Sequence, residues 1–219
     1  MKKLIILLSV LMISAPVWAA TGTSSATVKM FKAWLSLNGD CSSPVAFINE
    51  PSGKSFDFAS NPTLGTGSIA AGTYKCFIIK ISDNVSFTPS ANEGTACVAG
   101  TSYTMDVCRD YGNGQVPQVT NPDDGSKTTC TSGEDTIYVY ISRFSTAAAG
   151  SQDNNAFAPP TQDGDSTNGF KLANDIVVSA DLTGTFTFGT DNKVGEQQTG
   201  SQGATQCGME PPDFGFAAQ

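Results

Sequence analysis

Oxygen-bearing side chains recur at alternate positions in the run Asp163-Gly164-Asp165-Ser166-Thr167-Asn168-Gly169, and its glycines suit a tight turn. Hard cations select clusters of carboxylate, amide and carbonyl oxygens. Asp163, Asp165 and Asn168 are therefore the candidate metal ligands, and calcium is the one candidate cofactor. The run departs from an EF-hand loop, because Asn168 and Gly169 come one place late and no glutamate follows at the twelfth position. Asp153, Asn154 and Asn155 would contribute only if the loop folded back. A solvated polar turn is the competing reading of the same residues.

Other chemistry is constrained by what the chain lacks. It contains no histidine, so Ser-His-Asp and Cys-His catalysis and histidine-ligated metals are excluded. No G-x-S-x-G elbow occurs. Paired carboxylates remain, as used by glycosidases: Asp123/Asp124, Glu134/Asp135 and Asp163/Asp165. All fall in segments that read as loops, where solvated acids are ordinary, and no catalytic set is assigned. Tyr138 and Tyr140 offer an aromatic face for a sugar, or simply two residues of high β-propensity. Lys29 and Lys32, with Asn174 or Asp175 far downstream, have the order needed for an isopeptide bond; two solvated lysines explain them as well.

Six cysteines, Cys41, Cys76, Cys97, Cys108, Cys130 and Cys207, are an even set behind a leader-like N-terminus. That combination predicts an oxidising compartment and up to three disulfides, whose pairing sequence alone leaves open. Cys108–Cys130 is the preferred local bridge, because it brackets a polar insertion; Cys97 competes for either partner. Zinc is disfavoured, because no C-x-x-C pair or histidine exists. Lys2 and Lys3, the apolar run Leu4 to Ile13, Pro16 and Val17-Trp18-Ala19 predict a signal peptide over residues 1–19. No later segment is long and apolar enough to cross a membrane as a helix. The whole chain carries 12 basic and 20 acidic residues. Without Lys2 and Lys3 the balance is 10 to 20, net −10, which argues against nucleic acid and anionic membrane partners.

The elements that must position these residues read as strands. In Gly72 to Pro89, Phe77, Ile79, Ile81, Val85 and Phe87 share one parity, while Tyr74, Cys76 and Ile78 take the other. This predicts a core strand covered on both faces over residues 76–79, bent at Ser82-Asp83-Asn84. Residues 27–37 read as a strand whose alternation breaks near Lys32, ending at Asn38-Gly39. Residues 44–49 and 55–59 read as two short strands around a Pro51-Ser52-Gly53 turn. Residues 103–108 and 136–142 alternate cleanly. Phe170, Leu172, Ile176, Val178, Ala180, Leu182, Phe186 and Phe188 share a parity and predict one long strand, or a hairpin turning at Gly184. Residues 190–206 read as a polar tail, with Cys207, Phe214 and Phe216 docking the C-terminus. Insertions near 109–135 and 145–169 are long enough to be functional or disordered.

The expected fold is all-β: an antiparallel β-sandwich over residues 20–219, with two long polar loops, stapled by disulfides. The run AGTYKCFIIKISDNVSF resembles a segment of prealbumin-like, carboxypeptidase-regulatory-like β-sandwich modules of bacterial surface proteins. The resemblance covers roughly 20 residues; it implies a sandwich and carries over no catalytic residue. The long loops and the cysteine count depart from that family's compact form. The expected role is a non-enzymatic binding or structural protein of the cell surface, extracellular space or periplasm, adhesin-like, with a protein or glycan partner. The alternative is a secreted carbohydrate-active enzyme or its binding module, using the loop acids with Tyr138 and Tyr140.

Overall fold

A computed structural model of the chain describes residues 21–60, 69–108, 117–131, 133–147, 155–179, 184–199 and 204–218, with backbone alone at 184–188, 198–199, 204 and 215–218. The expected leader, the Gly65-Thr66-Gly67 turn, Asp153, Asn154, Ala180 and Leu182 lie outside the described residues, and the side chains of Phe186, Phe188 and Phe216 are not described.

The protein is all-β. β1 (Thr23–Ser36) is its hub, and β2 (Val45–Asp57) runs antiparallel along one edge. β3 (Gly72–Tyr74) leads into β4 (Cys76–Ser82) and β5 (Asn84–Pro89), which lie end to end along the other edge of β1. β6 (Tyr103–Asp106) extends the sheet from β5. β7 (Gln118–Thr120) and β8 (Lys127–Thr129) form a small ribbon within the first insertion. β9 (Thr136–Ser142) pairs with β4, and β10 (Phe170–Lys171) adds to β9 in parallel, whereas the other pairings of this sheet among the described residues are antiparallel. β11 (Ile176–Val178) pairs back with β3. The chain closes with β12 (Gly184–Gly189), β13 (Val194–Thr199), β14 (Ala204–Met209) and β15 (Asp213–Ala218), paired β12–β15 and β13–β14.

The break in alternation near Lys32 is a bulge: β1 shifts register against both neighbours between Met30 and Lys32. One extra residue flips which side chains face inward, so Met30 and Ala33 both reach the core. The two short strands expected at 44–49 and 55–59 are instead one strand, β2. Asn49 pairs with Lys32 and Lys54 with Met30, so Glu50 to Gly53 loop out while both halves stay in line on β1. Gly53 has φ +72° there, and a Cβ would lie 2.5 Å from Lys29 Cε. Pro51-Ser52-Gly53 makes a bulge rather than a turn between two strands, because a common partner strand holds both halves.

The long strand expected over 170–188 is broken. β10 and β11 are separated at Ala173 to Asp175, where the Arg143 guanidinium donates to the carbonyls of Leu172 and Ala173 and pairs with Asp175 at 3.1 Å. The parity reading survives in part: Leu172 and Ile176 are buried and Phe170 and Val178 half-buried. The 190–206 segment, expected as a polar tail, contains β13 and the start of β14. Two partners from distant sequence hold it. Val194 exchanges backbone hydrogen bonds with Thr21, and Cys207 is bonded to Cys97.

The sheet's inner face carries Val28, Met30 and Leu35 of β1, Phe77, Ile79 and Ile81 of β4, Val85 and Phe87 of β5, and Ile137, Val139 and Ile141 of β9. The small ribbons cover it through Tyr74, Ile176, Val194 and Met209. The outer face has a second, smaller cluster: Trp34, Cys41, Cys76, Ile78 and Tyr140. β4 is thus buried on both faces over residues 76–79, as its two apolar parities predict. The cysteines pair Cys41–Cys76, Cys97–Cys207 and Cys108–Cys130. No helix among the described residues is long and apolar enough to cross a membrane.

Candidate functional site

The Asp163–Gly169 run is organised by one carboxylate. Asp165 is buried at 5 % exposure. Its Oδ1 accepts from Thr167 N and Oγ1, both at 2.8 Å, and from Asn168 N at 3.2 Å. Its Oδ2 accepts from Thr161 N at 2.9 Å, Thr161 Oγ1 at 3.2 Å and Asn168 Nδ2 at 3.2 Å. Burial alone would raise this acid; the backbone and side-chain donors of Thr161, Thr167 and Asn168 outweigh it and hold the carboxyl well below the usual range. Asp163 is exposed and Asn168 half-buried. Among the described residues no group of three acids or cysteines is placed to hold a metal ion. Here Asp165 closes the loop much as a helix cap closes a helix, and its donors include Thr161, which spacing did not single out.

Asp165→Asn is expected to cost about 2–3 kcal/mol, because hydrogen bonds to a charged acceptor are worth about 1.5–3 kcal/mol and the Asn amide would face N–H groups. Asp163→Asn should change stability by less than about 0.5 kcal/mol. Thermal unfolding of both variants, with calcium and with chelator, checks this. A calcium-dependent midpoint lost in both variants would instead make the run a cation site.

The other candidate residues are engaged with partners of their own. Lys32 Nζ lies 2.8 Å from Asp123 Oδ2, and Asp175 pairs with Arg143, so neither isopeptide combination using them is assembled. Lys29 lies over the Phe31 ring at 5.3 Å. Asp124 accepts from Ser126 N, Glu134 from Ser82 Oγ, and Asp135 from Thr131 N and Oγ1. Tyr140 is not on an open face. It is 1 % exposed, its hydroxyl donates to the Thr120 carbonyl at 2.9 Å, and burial pushes its pKa far up. Tyr138 is half-buried against Trp34, with ring centroids 5.8 Å apart. The first insertion meets this face through Thr120 and Asp123. Asp123 accepts from Trp34 Nε1 at 2.9 Å, which alternation in β9 alone does not reveal.

The feature with binding geometry is elsewhere. Between the inner face of the sheet and residues 209–214 lies a cavity of about 160 Å³. Val28, Ile81, Val85 and Val139 form its floor, with Phe58, Met105 and Phe157 at the sides. Met209, Pro211, Pro212 and Phe214 cover it. Among its described lining residues only Thr190 and Glu210 carry polar side chains. The floor residues are buried, whereas Glu210 is exposed and Pro211 and Pro212 are half-buried, so the cavity opens beside this proline strap. Phe214 stacks on Phe170 at 5.7 Å, and Lys193 Nζ holds Asp213 at 3.0 Å. These contacts anchor the strap. Sequence could flag the floor as core, but not that the distant strap would leave space above it.

The chain matches no family model, no curated protein and no solved structure.

Proposed function

We propose that this is an exported, non-enzymatic β-sandwich that binds a small apolar group, an aryl ring or a short alkyl end, beneath its Glu210–Phe214 strap. The observation that carries the reading is the cavity, lined almost wholly by hydrocarbon and open at one rim. Apolar cavities of about 150 Å³ stay dry and take up benzene or xenon. Apolar surface lining such a pocket gains by being covered, at about 25 cal/mol per Å² removed from water. An occupant that desolvates well therefore gains directly. The exposed Glu210 at the rim and the acidic chain disfavour an anionic head group. A glycan, with hydroxyls to satisfy, fits such a lining poorly.

Three further features support export and a binding role: the leader-like N-terminus, the three disulfides, and the use of loop acids as structural acceptors. Surface, extracellular and periplasmic settings all suit such a protein.

The test is thermal unfolding of the mature, oxidised protein with benzene, toluene or 1-hexanol. The wild type should gain several degrees. Ala26→Leu, which fills space from a wall residue 2 % exposed, should gain nothing from ligand. Val85→Leu gives the same reading should Ala26→Leu fold poorly. Equal ligand shifts in wild type and the filled variants, or none in any, would overturn the proposal.

A further inference from the structure

The first insertion leaves and re-enters the sheet at a single residue. Beyond Asp83 the two strands that flank the β4–β5 line diverge, β9 pairing only with β4 and β6 only with β5. At the departing end, Val107 N donates to the Asp83 carbonyl at 3.0 Å. At the returning end, Asp83 N donates to the Asp135 carbonyl at 3.1 Å, and Asp135 N donates to Asp83 Oδ1 at 2.9 Å. One residue thus clamps both ends of the insertion, beside the Cys108–Cys130 bridge. Asp83 is 0 % exposed, and its Oδ2 is buried with no hydrogen-bond partner among the described residues. Buried polar atoms are ordinarily paired, so this orphan marks a state the fold does not fully satisfy.

Among the described residues, the charged groups that act on it are of one sign. Asp106 comes from β6, and Asp135 and Glu134 from the turn before β9; Ser82 Oγ donates to Glu134 Oε1 at 3.1 Å. On β1, opposite the 82–85 gap, stand the apolar Val28 and Lys29, whose ammonium lies over the Phe31 ring.

We propose that Asp83 is a protonation switch that holds the neck of the 107–135 insertion closed when its carboxyl is neutral and loosens it when the carboxyl ionises. The proton comes from and returns to solvent, and no other bond changes. Burial first, and then the charges of Asp106 and Asp135, raise this carboxyl from an ordinary 3.8 to about 6, against the opposing hydrogen bond from Asp135 N. A group whose pKa is raised on folding gives its full stabilisation below the unfolded value. That contribution falls as pH rises between about 4 and 6. The clamp is therefore tightest in mildly acidic surroundings and weakest at neutral pH. Opening that fully hydrates Asp83 should become easier by up to about a hundredfold across that range.

The experiment is amide exchange by NMR on the intact, oxidised mature protein from pH 4.5 to 7.5, corrected for intrinsic rates. Protection of Val107 and Asp135 should fall ten- to a hundredfold as pH rises from 4.5 and level off above about 6, while Ile79 and Val139 stay constant. Asp83→Asn keeps the Oδ1 acceptor and should flatten the profile. Asp106→Asn, which keeps an acceptor for Cys108 N, should move that levelling-off to lower pH. Should Asp83→Asn fold poorly, the carboxyl carbon shift of Asp83 in the wild type is decisive. Titration near 6 upholds the switch; titration near 4, or the same exchange profile in wild type and Asp83→Asn, overturns it.

Discussion

Replacing Cys97 and Cys207 together by serine is expected to remove about 4 kcal/mol of stability, the largest effect of any bridge here. The bridge spans 110 residues, against 35 for Cys41–Cys76 and 22 for Cys108–Cys130. Chain entropy makes closure of about 100 residues worth roughly 4.7 kcal/mol, and the cost of losing a native bridge commonly falls at about 2–5. The bridge also joins elements with few other ties. The β13–β14 ribbon reaches the 93–97 turn through Cys207 and through Glu196, whose Oε1 accepts from Thr95 N and Ala96 N. Those donors, Ala96 first, hold Glu196 below its ordinary range. Without the bridge, amides of 194–209 should exchange well before those of β4 and β9. Denaturant unfolding under non-reducing conditions measures the loss, and exchange locates it. A loss below about 1 kcal/mol would mean the ribbon is held by packing alone.

Trp34→Ala should cost about 3–5 kcal/mol, the usual range for emptying a buried tryptophan site. Trp34 is 1 % exposed and centres the outer-face cluster. The loss has two parts. The cavity unpacks Ile78 and Tyr138 from a common neighbour. Asp123 also keeps only its Lys32 partner, having lost the indole donor at 2.9 Å. Burial works against Asp123, and those two donors hold its pKa down. The stability gap between variant and wild type should therefore narrow toward acid, because a depressed carboxyl stabilises the fold only above its unfolded value and the variant has less of that depression to lose. Trp34→Phe separates the parts: it keeps most of the packing, and its cost of about 1–2 kcal/mol measures the hydrogen bond. Denaturant titration of both variants checks the values. Equal losses in the two would assign the whole effect to Asp123.

Much of the main sheet was legible because its strands carry their own instructions. The parities of β4, β5 and β9 name their faces, and Ser82-Asp83-Asn84 marks the bend where the sheet forks. The fault near Lys32 announced the β1 bulge. What could not be read came from contacts between distant residues. β13 and β14 are rich in Gly and Gln, and they are strands because Thr21, Cys97 and the 95–96 amides meet them. The strand expected from Phe170 onward breaks at Ala173 because Arg143 takes its carbonyls. Tyr140 reads as a solvent-facing residue until the Thr120 carbonyl is set over it. The same holds for the sites. The oxygen-rich run at 163–169 was visible as chemistry, but Asp165 spends its lone pairs on Thr161 and its own loop. The cavity needed the strap, more than 60 residues past the last floor residue, to be seen at all.

The claim most exposed to refutation is that the space under the strap is a real, apolar binding cavity. Crystals of the mature, oxidised protein pressurised with xenon test it directly. Xenon should appear among Val28, Phe58, Ile81 and Val85 in the wild type and be absent from that place in Ala26→Leu. Side chains already filling the space, or xenon bound elsewhere but not there, would contradict the account.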